Sequence, residues 1–192
     1  MILCKSDIKK AIRIGDLVIT PQPEESQYST SALDLRVGPN FYKFINPDPA
    51  IEHILDFDLL KKTAESYKIL KKYIEPVIPN EEGVVIIKQD GFILMETYEK
   101  IQLPLEGQLA SRVEGRSSLA RLGISVHMTA PIIHCGFSGT ICLEVKNQGP
   151  FHMKIWPKKT RICQIVFEKV SSRPHEELDT IFMNQDGPTG KN

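Results

Sequence analysis

The chain has 192 residues, 41% of them hydrophobic, which is enough for one well-buried core and short for two. Its 24 lysines and arginines offset 24 aspartates and glutamates, so no global field exists to hold a polyanion such as a nucleic acid, although a local cluster can still bind a small anion. The four cysteines, Cys4, Cys135, Cys142 and Cys163, form no C-x-x-C pair, and no run has the length of a signal peptide or a membrane span; the expectation is a cytoplasmic protein with reduced thiols, no structural zinc and no membrane partner.

Ser6-Asp7 followed by Ile8, Ala11, Ile12 and Ile14 predicts a capped amphipathic helix that ends at Gly15. Leu17-Val18-Ile19 reads as a short strand stopped by Pro21 and Pro23, and residues 31–37 as a second strand with apolar and polar positions alternating. Over 51–73 the period turns helical, with Ile54, Leu55, Leu59 and Leu60 among lysines, until Pro76 and Pro79 end it. This suggests a helical insertion at about 46–82 within a single domain spanning 1–192. Strand-like runs follow at 84–87, 92–95, 124–128, 140–145, 151–156 and 161–167, punctuated by Gly, Pro and Asn. That succession predicts an all-β sandwich or distorted barrel rather than βαβ units. The last stretch, about 171–192, is a polar arm that contains Gln185 and Gly187-Pro188-Thr189.

Two stretches carry the chemistry. Glu114-Gly115-Arg116-Ser117-Ser118 sets a permissive glycine before a guanidinium and two hydroxyls, and Leu119-Ala120-Arg121 favours a helix behind them. Such a start can surround phosphate oxygens with N–H, hydroxyl and guanidinium donors, and it can equally be an ordinary capped helix. In Gly139-Thr140-Ile141-Cys142-Leu143-Glu144-Val145, period-two alternation puts Ile141, Leu143 and Val145 on one face and Thr140, Cys142 and Glu144 on the other. A carboxylate between small neighbours has room beside it.

The set Arg116-Ser117-Ser118-Leu119-Ala120-Arg121, Val126-His127-Met128-Thr129-Ala130, Gly136-Phe137-Ser138-Gly139 and Leu143-Glu144 resembles the dCTP deaminase branch of the dUTPase superfamily, and Ala32-Leu33-Asp34-Leu35 is similar to its first motif. The resemblance implies a distorted β-barrel or jelly roll of the dUTPase type, with an N-terminal helix, a helical insertion and a C-terminal arm that closes over the nucleotide. It implies hydrolytic deamination of dCTP to dUTP and ammonia, with Glu144 as general base and acid, Ser117 and the Ala130 carbonyl placing the water, and Arg121 against Glu144. It further implies nucleotide binding by Arg116, Ser117, Ser118, Leu119, Ala120, Arg121, His134, Cys142, Leu143, Glu144, Gln164 and Gln185, with Mg²⁺ carried by the triphosphate of dCTP, dUTP or dTTP. Homotrimers with sites between subunits are implied as well, and Asp34 falls to an organising role. Zinc deaminases use H-x-E with P-C-x-x-C; His175-Glu176-Glu177 fits the first string here, but no P-C-x-x-C follows, so the chemistry is expected without zinc.

Two departures bear on the product. His134-Cys135-Gly136-Phe137 places an imidazole where the family usually has an aspartate, used at the sugar hydroxyl by deaminases and as the hydrolytic base by dUTPases. Pro174 and Ile181 stand where deaminases commonly carry a tyrosine and a lysine. Beside deamination alone, the alternatives are a dUTP diphosphatase, a bifunctional enzyme giving dUMP, and an inactive nucleotide-binding regulatory trimer.

Overall fold

The computed structural model describes residues 1–45, 54 and 71–175. Of the expected insertion, only Ile54 and residues 71–82 fall among these, and of the arm only 171–175, so most of both regions and Gln185 lie outside the described residues.

Helix α1 (Lys5–Ile14) buries Ile8 and Ala11, an i, i+3 pair, and Gly15 closes it in the left-handed conformation at φ 85°. Its start differs from the expectation. The N-cap is Cys4, whose carbonyl accepts the N–H groups of Asp7 and Ile8 at 3.0 and 2.9 Å. Asp7 instead sits in the first turn, where the helix dipole favours a carboxylate.

Among the described residues the remaining regular structure is mainly antiparallel β, as the spacing of turn residues predicts. The strands are β1 (Val18–Thr20), β2 (Leu33–Phe44), β3 (Ile74–Pro76), β4 (Val85–Ile87), β5 (Phe92–Thr97), β6 (Lys100–Gln102), β7 (Leu109–Gly115), β8 (Ile124–Ser125), β9 (Ile132–Ile133), β10 (Ser138–Gly139), β11 (Cys142–Asn147), β12 (Met153–Ile155) and β13 (Arg161–Lys169), with a one-turn helix α2 (Ser117–Ala120) after β7. The main sheet runs β8-β11-β5-β2-β13-β7-β9 with β3 beside β2, and it is accompanied by β1-β6-β10 and β12-β4.

Strand β2 curls this sheet. Its first half pairs with β13 through Leu33–Arg36, its second half with β5 through Phe41 and Tyr42, and the register shifts between Val37 and Phe41. The bend falls at Gly38-Pro39, which alternation alone reads as the end of the strand; a bulge carries the chain past them instead. A Cβ on Gly38 would meet Glu96 Cγ at 2.6 Å, so the close approach requires glycine. Strands β6 and β7 were not among the expected runs, and the one expected over 124–128 is only the two residues of β8.

The core fills the curl with Leu33, Leu35, Phe41, Met95, Leu143, Val145, Ile165 and Phe167, each at most 1% exposed. Fully burying one such side chain contributes about 1.5–3 kcal/mol. Within it, the Glu99 carboxylate is 0% exposed and accepts bonds from Gln27 Nε2 at 2.9 Å, Arg36 N at 2.8 Å and Arg36 Nε at 2.7 Å. This network ties the turn Glu25–Gln27 to β2.

Candidate active site

Strand β7 delivers Arg116 to the start of α2 in an extended conformation, φ −85° and ψ 127°. Its guanidinium is already placed: Nη2 lies 3.3 Å from Asp34 Oδ2, and Nη1 donates to the Arg161 carbonyl at 3.1 Å. Asp34, Gln164 and Glu114 face one another across β2, β13 and β7, and Gln164 Nε2 donates to the Gly115 carbonyl at 3.2 Å. Ser117, Ser118, Ala120 and Arg121 are exposed, whereas Leu119 is half-buried and packs on the core. The turn therefore presents hydroxyls and two guanidiniums while one leucine anchors it.

Strand β11 has the alternation expected of it. Leu143 and Val145 are buried, and Cys142 and Glu144 are half-buried on the opposite face. Glu144 Oε2 accepts the Met128 backbone N–H at 3.3 Å. Opposite Cys142 in register stands Glu96, 2% exposed, which accepts a bond from Asn40 Nδ2 at 2.5 Å and from the Thr140 hydroxyl at 3.1 Å. Ala130 is exposed, as is His134, whose carbonyl accepts the Phe137 N–H at 3.1 Å in the turn before β10. His127 Nδ1 is buried with no hydrogen-bond partner among the described residues.

Segment 116–147 connects the two halves of this arrangement. Helix α2 packs on β8, and β8 pairs with Lys146 and Asn147 of β11. The Gly123 carbonyl accepts the Gln148 N–H at 2.8 Å. Buried Asn147 holds the far turn with Nδ2 bonds to the carbonyls of Ile87, Lys88 and Phe151 and an Oδ1 bond from Gly149 N. Among the described residues no hydrogen bond or ion pair joins Arg121 or Arg116 to Glu144 within one chain. Sequence reasoning passed over Arg161, Ser26 and Asn147; the signal available for Arg161 was its place three residues before Gln164.

The sequence model of the dCTP deaminase-like family matches residues 2–170. The chain belongs to the dCTP deaminase-like family. Among relatives of this dCTP deaminase-like chain, the "dCTP deaminase, dUMP-forming" of Methanosphaera stadtmanae is 39% identical, over 97% of this chain and 91% of the relative. The protein of the same description from Methanothermobacter thermautotrophicus is 37% identical, again over 97% and 91%. The crystal structure of 2'-deoxycytidine 5'-triphosphate deaminase from Agrobacterium tumefaciens superposes with a TM-score of 0.64 at 19% identity, over 88% of this chain and about half, 48%, of that one. That similarity shows the shared fold.

For a dCTP deaminase-like chain the thiol beside Glu144 is notable. Burial, then the charges of Glu144 and Glu96, push Cys142 up from 9.0 to about 12. A thiol whose pKa is raised on folding contributes stability in full below the unfolded value, and that contribution is lost as pH rises from about 9 to about 12. Burial also raises Cys163. Iodoacetamide at pH 8 should therefore label exposed Cys4 first and leave Cys142 and Cys163 unmodified in the folded protein. Peptide mass mapping that finds Cys142 alkylated as fast as Cys4 would contradict this. No helix among the described residues is long and apolar enough to cross a membrane.

Proposed function

We propose that this chain converts dCTP to dUMP in two hydrolytic steps: water adds at C4 of the cytosine and ammonia leaves, giving dUTP, and a second water then cleaves dUTP to dUMP and diphosphate. The reading is carried by the full-length similarity, 39% and 37%, to relatives described as dUMP-forming. Glu144 takes a proton from the first water and returns one to the departing amine, since a single half-buried carboxylate can serve both transfers. Ser117 and the Ala130 carbonyl orient that water. Arg116, Ser117 and Ser118, with the Leu119 and Ala120 backbone, hold the phosphates, and Gln164 contacts the nucleotide from β13; Cys142 and the Leu143 backbone line the base, His134 faces the sugar hydroxyl, and Gln185 reaches the nucleotide from the arm. Arg121 and Arg116 form no hydrogen bond or ion pair with Glu144 inside one chain, and a cytoplasmic homotrimer with the site completed between subunits fits this arrangement.

Mg²⁺ enters with the nucleotide. Asp34, the carboxylate nearest the clamp, is shared by two guanidiniums, and among the described residues no three His, Cys, Asp or Glu side chains stand together as a metal site. The phosphate oxygens would hold the ion, which would neutralise their charge. Dialysis against a zinc-selective chelator should leave deamination intact once Mg²⁺ is resupplied; activity restored only by added zinc would overturn this chemistry.

A second reading, dUTP as the final product, is favoured by one observation: His134 replaces the aspartate expected at the turn before β10. Incubating the purified protein with dCTP and Mg²⁺ and following ammonia and diphosphate separately decides between them. Both products in equal amount support dUMP formation. Ammonia alone supports the second reading, and neither product would refute both.

A further inference from the structure

Arg161 opens β13 and belongs to none of the binding sets above, yet it meets both Asp34 and Arg116 beside the phosphate clamp. Nη1 and Nη2 donate to the Ser26 carbonyl and hydroxyl, each at 2.6 Å. Nη1 also lies 3.7 Å from Asp34 Oδ2, the same oxygen that Arg116 approaches at 3.3 Å, while the Arg161 carbonyl accepts the bond from Arg116 Nη1 at 3.1 Å. Asp34 is 16% exposed at its side chain and the two arginines 30% and 32%, so solvent does not fully screen the group.

The charges decide what the arrangement does. An arginine paired alone with an aspartate makes a neutral unit, and a guanidinium engaged on both oxygens of one carboxylate has little left to offer a phosphate. Here two guanidiniums compete for one oxygen at distances longer than a good charged hydrogen bond. The triad keeps a net positive charge, and neither arginine is fully committed to Asp34. Ser26 holds Arg161 in place by a two-point fork, whereas Arg116 is held by one carbonyl bond and one long ion pair, which leaves it the less tightly bound of the two toward an incoming oxygen.

We propose that Arg161 is a positioning residue for triphosphate binding: by sharing Asp34 it keeps the permanently charged Arg116 guanidinium from being neutralised by that carboxylate and so available to the phosphates, and Ser26 fixes Arg161 in the position from which it does so. The inference rests on the reading of Arg116 as a phosphate-binding residue.

The test compares Arg116→Ala, Arg161→Gln and the double variant by steady-state deamination of dCTP and by inhibition with inorganic tripolyphosphate, with thermal melting as the folding control. Arg161→Gln should raise the KM for dCTP and the tripolyphosphate inhibition constant by about tenfold, with kcat close to that of the parent. The increase should shrink as ionic strength rises, because it is a charge effect. On the Arg116→Ala background the same substitution should add less than about twofold, since it acts through Arg116. An unchanged KM in Arg161→Gln, or a full tenfold increase on top of Arg116→Ala, overturns the inference. Should Arg116→Ala itself leave KM unchanged, the reading of Arg116 falls and takes the inference with it. If Arg161→Gln melts too low to assay, Arg161→Lys preserves the charge without the fork, and a KM as high as that of Arg116→Ala would refute the charge argument.

Discussion

Replacing Glu144 with glutamine should leave dCTP binding close to that of the parent and reduce turnover at or beyond the top of the range of about 10²–10⁴ that positioned acid–base groups contribute. The argument is local. Glutamine keeps the length and planar end of the side chain, so the acceptor that receives the Met128 N–H at 3.3 Å can be retained. What it loses is the ability to take a proton from water and to hand one to the leaving amine, and because the proposed mechanism gives both transfers to this residue no second group makes up the loss. The replacement also removes one of the charges near the Cys142 thiol, where Glu144 ranks after burial as a cause of the raised value. Single-turnover deamination beside an equilibrium binding measurement checks this. If Glu144→Gln binds dCTP normally and deaminates within a few-fold of the parent, Glu144 is only a strand carboxylate and the proton-transfer role belongs elsewhere.

The parts of this site that were legible in the sequence are those set by local period. Alternation through Ile141, Leu143 and Val145 places Glu144 outward because a strand turns each successive side chain to the other face. The stripe of α1 follows in the same way from helical spacing. What stayed hidden depends on irregular or distant pairing. In a straight strand Arg161 and Gln164 would point to opposite faces; the register shift between Arg161 and Cys163 brings both to the Asp34 side. Strand β7 alternates Leu109, Ser111 and Val113 inward, and a fully buried serine in the middle weakens the apolar signal. Glu96 looks like an exposed charge at the end of a hydrophobic run, yet Asn40, 56 residues away, and Thr140, 44 residues away, meet it in the interior. The N-cap of α1 was misplaced for a related reason: Ser6 and Asp7 are good capping residues, but the Cys4 carbonyl opens the helix two residues earlier.

Gly123→Ala should cost about 2–5 kcal/mol of stability and lower the melting temperature by on the order of 10 °C, the sum of two effects acting at one position. Gly123 has φ +86°, a left-handed conformation that penalises any Cβ by about 1–2 kcal/mol. An added Cβ would also lie 2.6 Å from Gly149 Cα and 3.0 Å from the Gln148 carbonyl carbon, both backbone atoms that no rotamer change can move aside. Nor can that backbone retreat freely: Gly149 N donates to Asn147 Oδ1 at 3.1 Å, and the buried Asn147 amide is held by three further carbonyls. Relieving the overlap requires moving the α2 turn, which presents the serines of the clamp to the proposed site between subunits, relative to the body of its own chain. Misplacement of about 1 Å in a catalytic arrangement can cost about 10²-fold in rate, so turnover should fall further than the loss of folded protein accounts for. Gly15→Ala supplies the control, since Gly15 has the same left-handed φ, +85°, with nothing within 4 Å of its Cβ position. That variant should lose only the conformational share, about 1–2 kcal/mol, and keep its activity. Equal melting temperatures for the two variants, or a Gly123→Ala protein with unimpaired turnover, would show that the contact between Gly123 and Gly149 does not position the α2 turn.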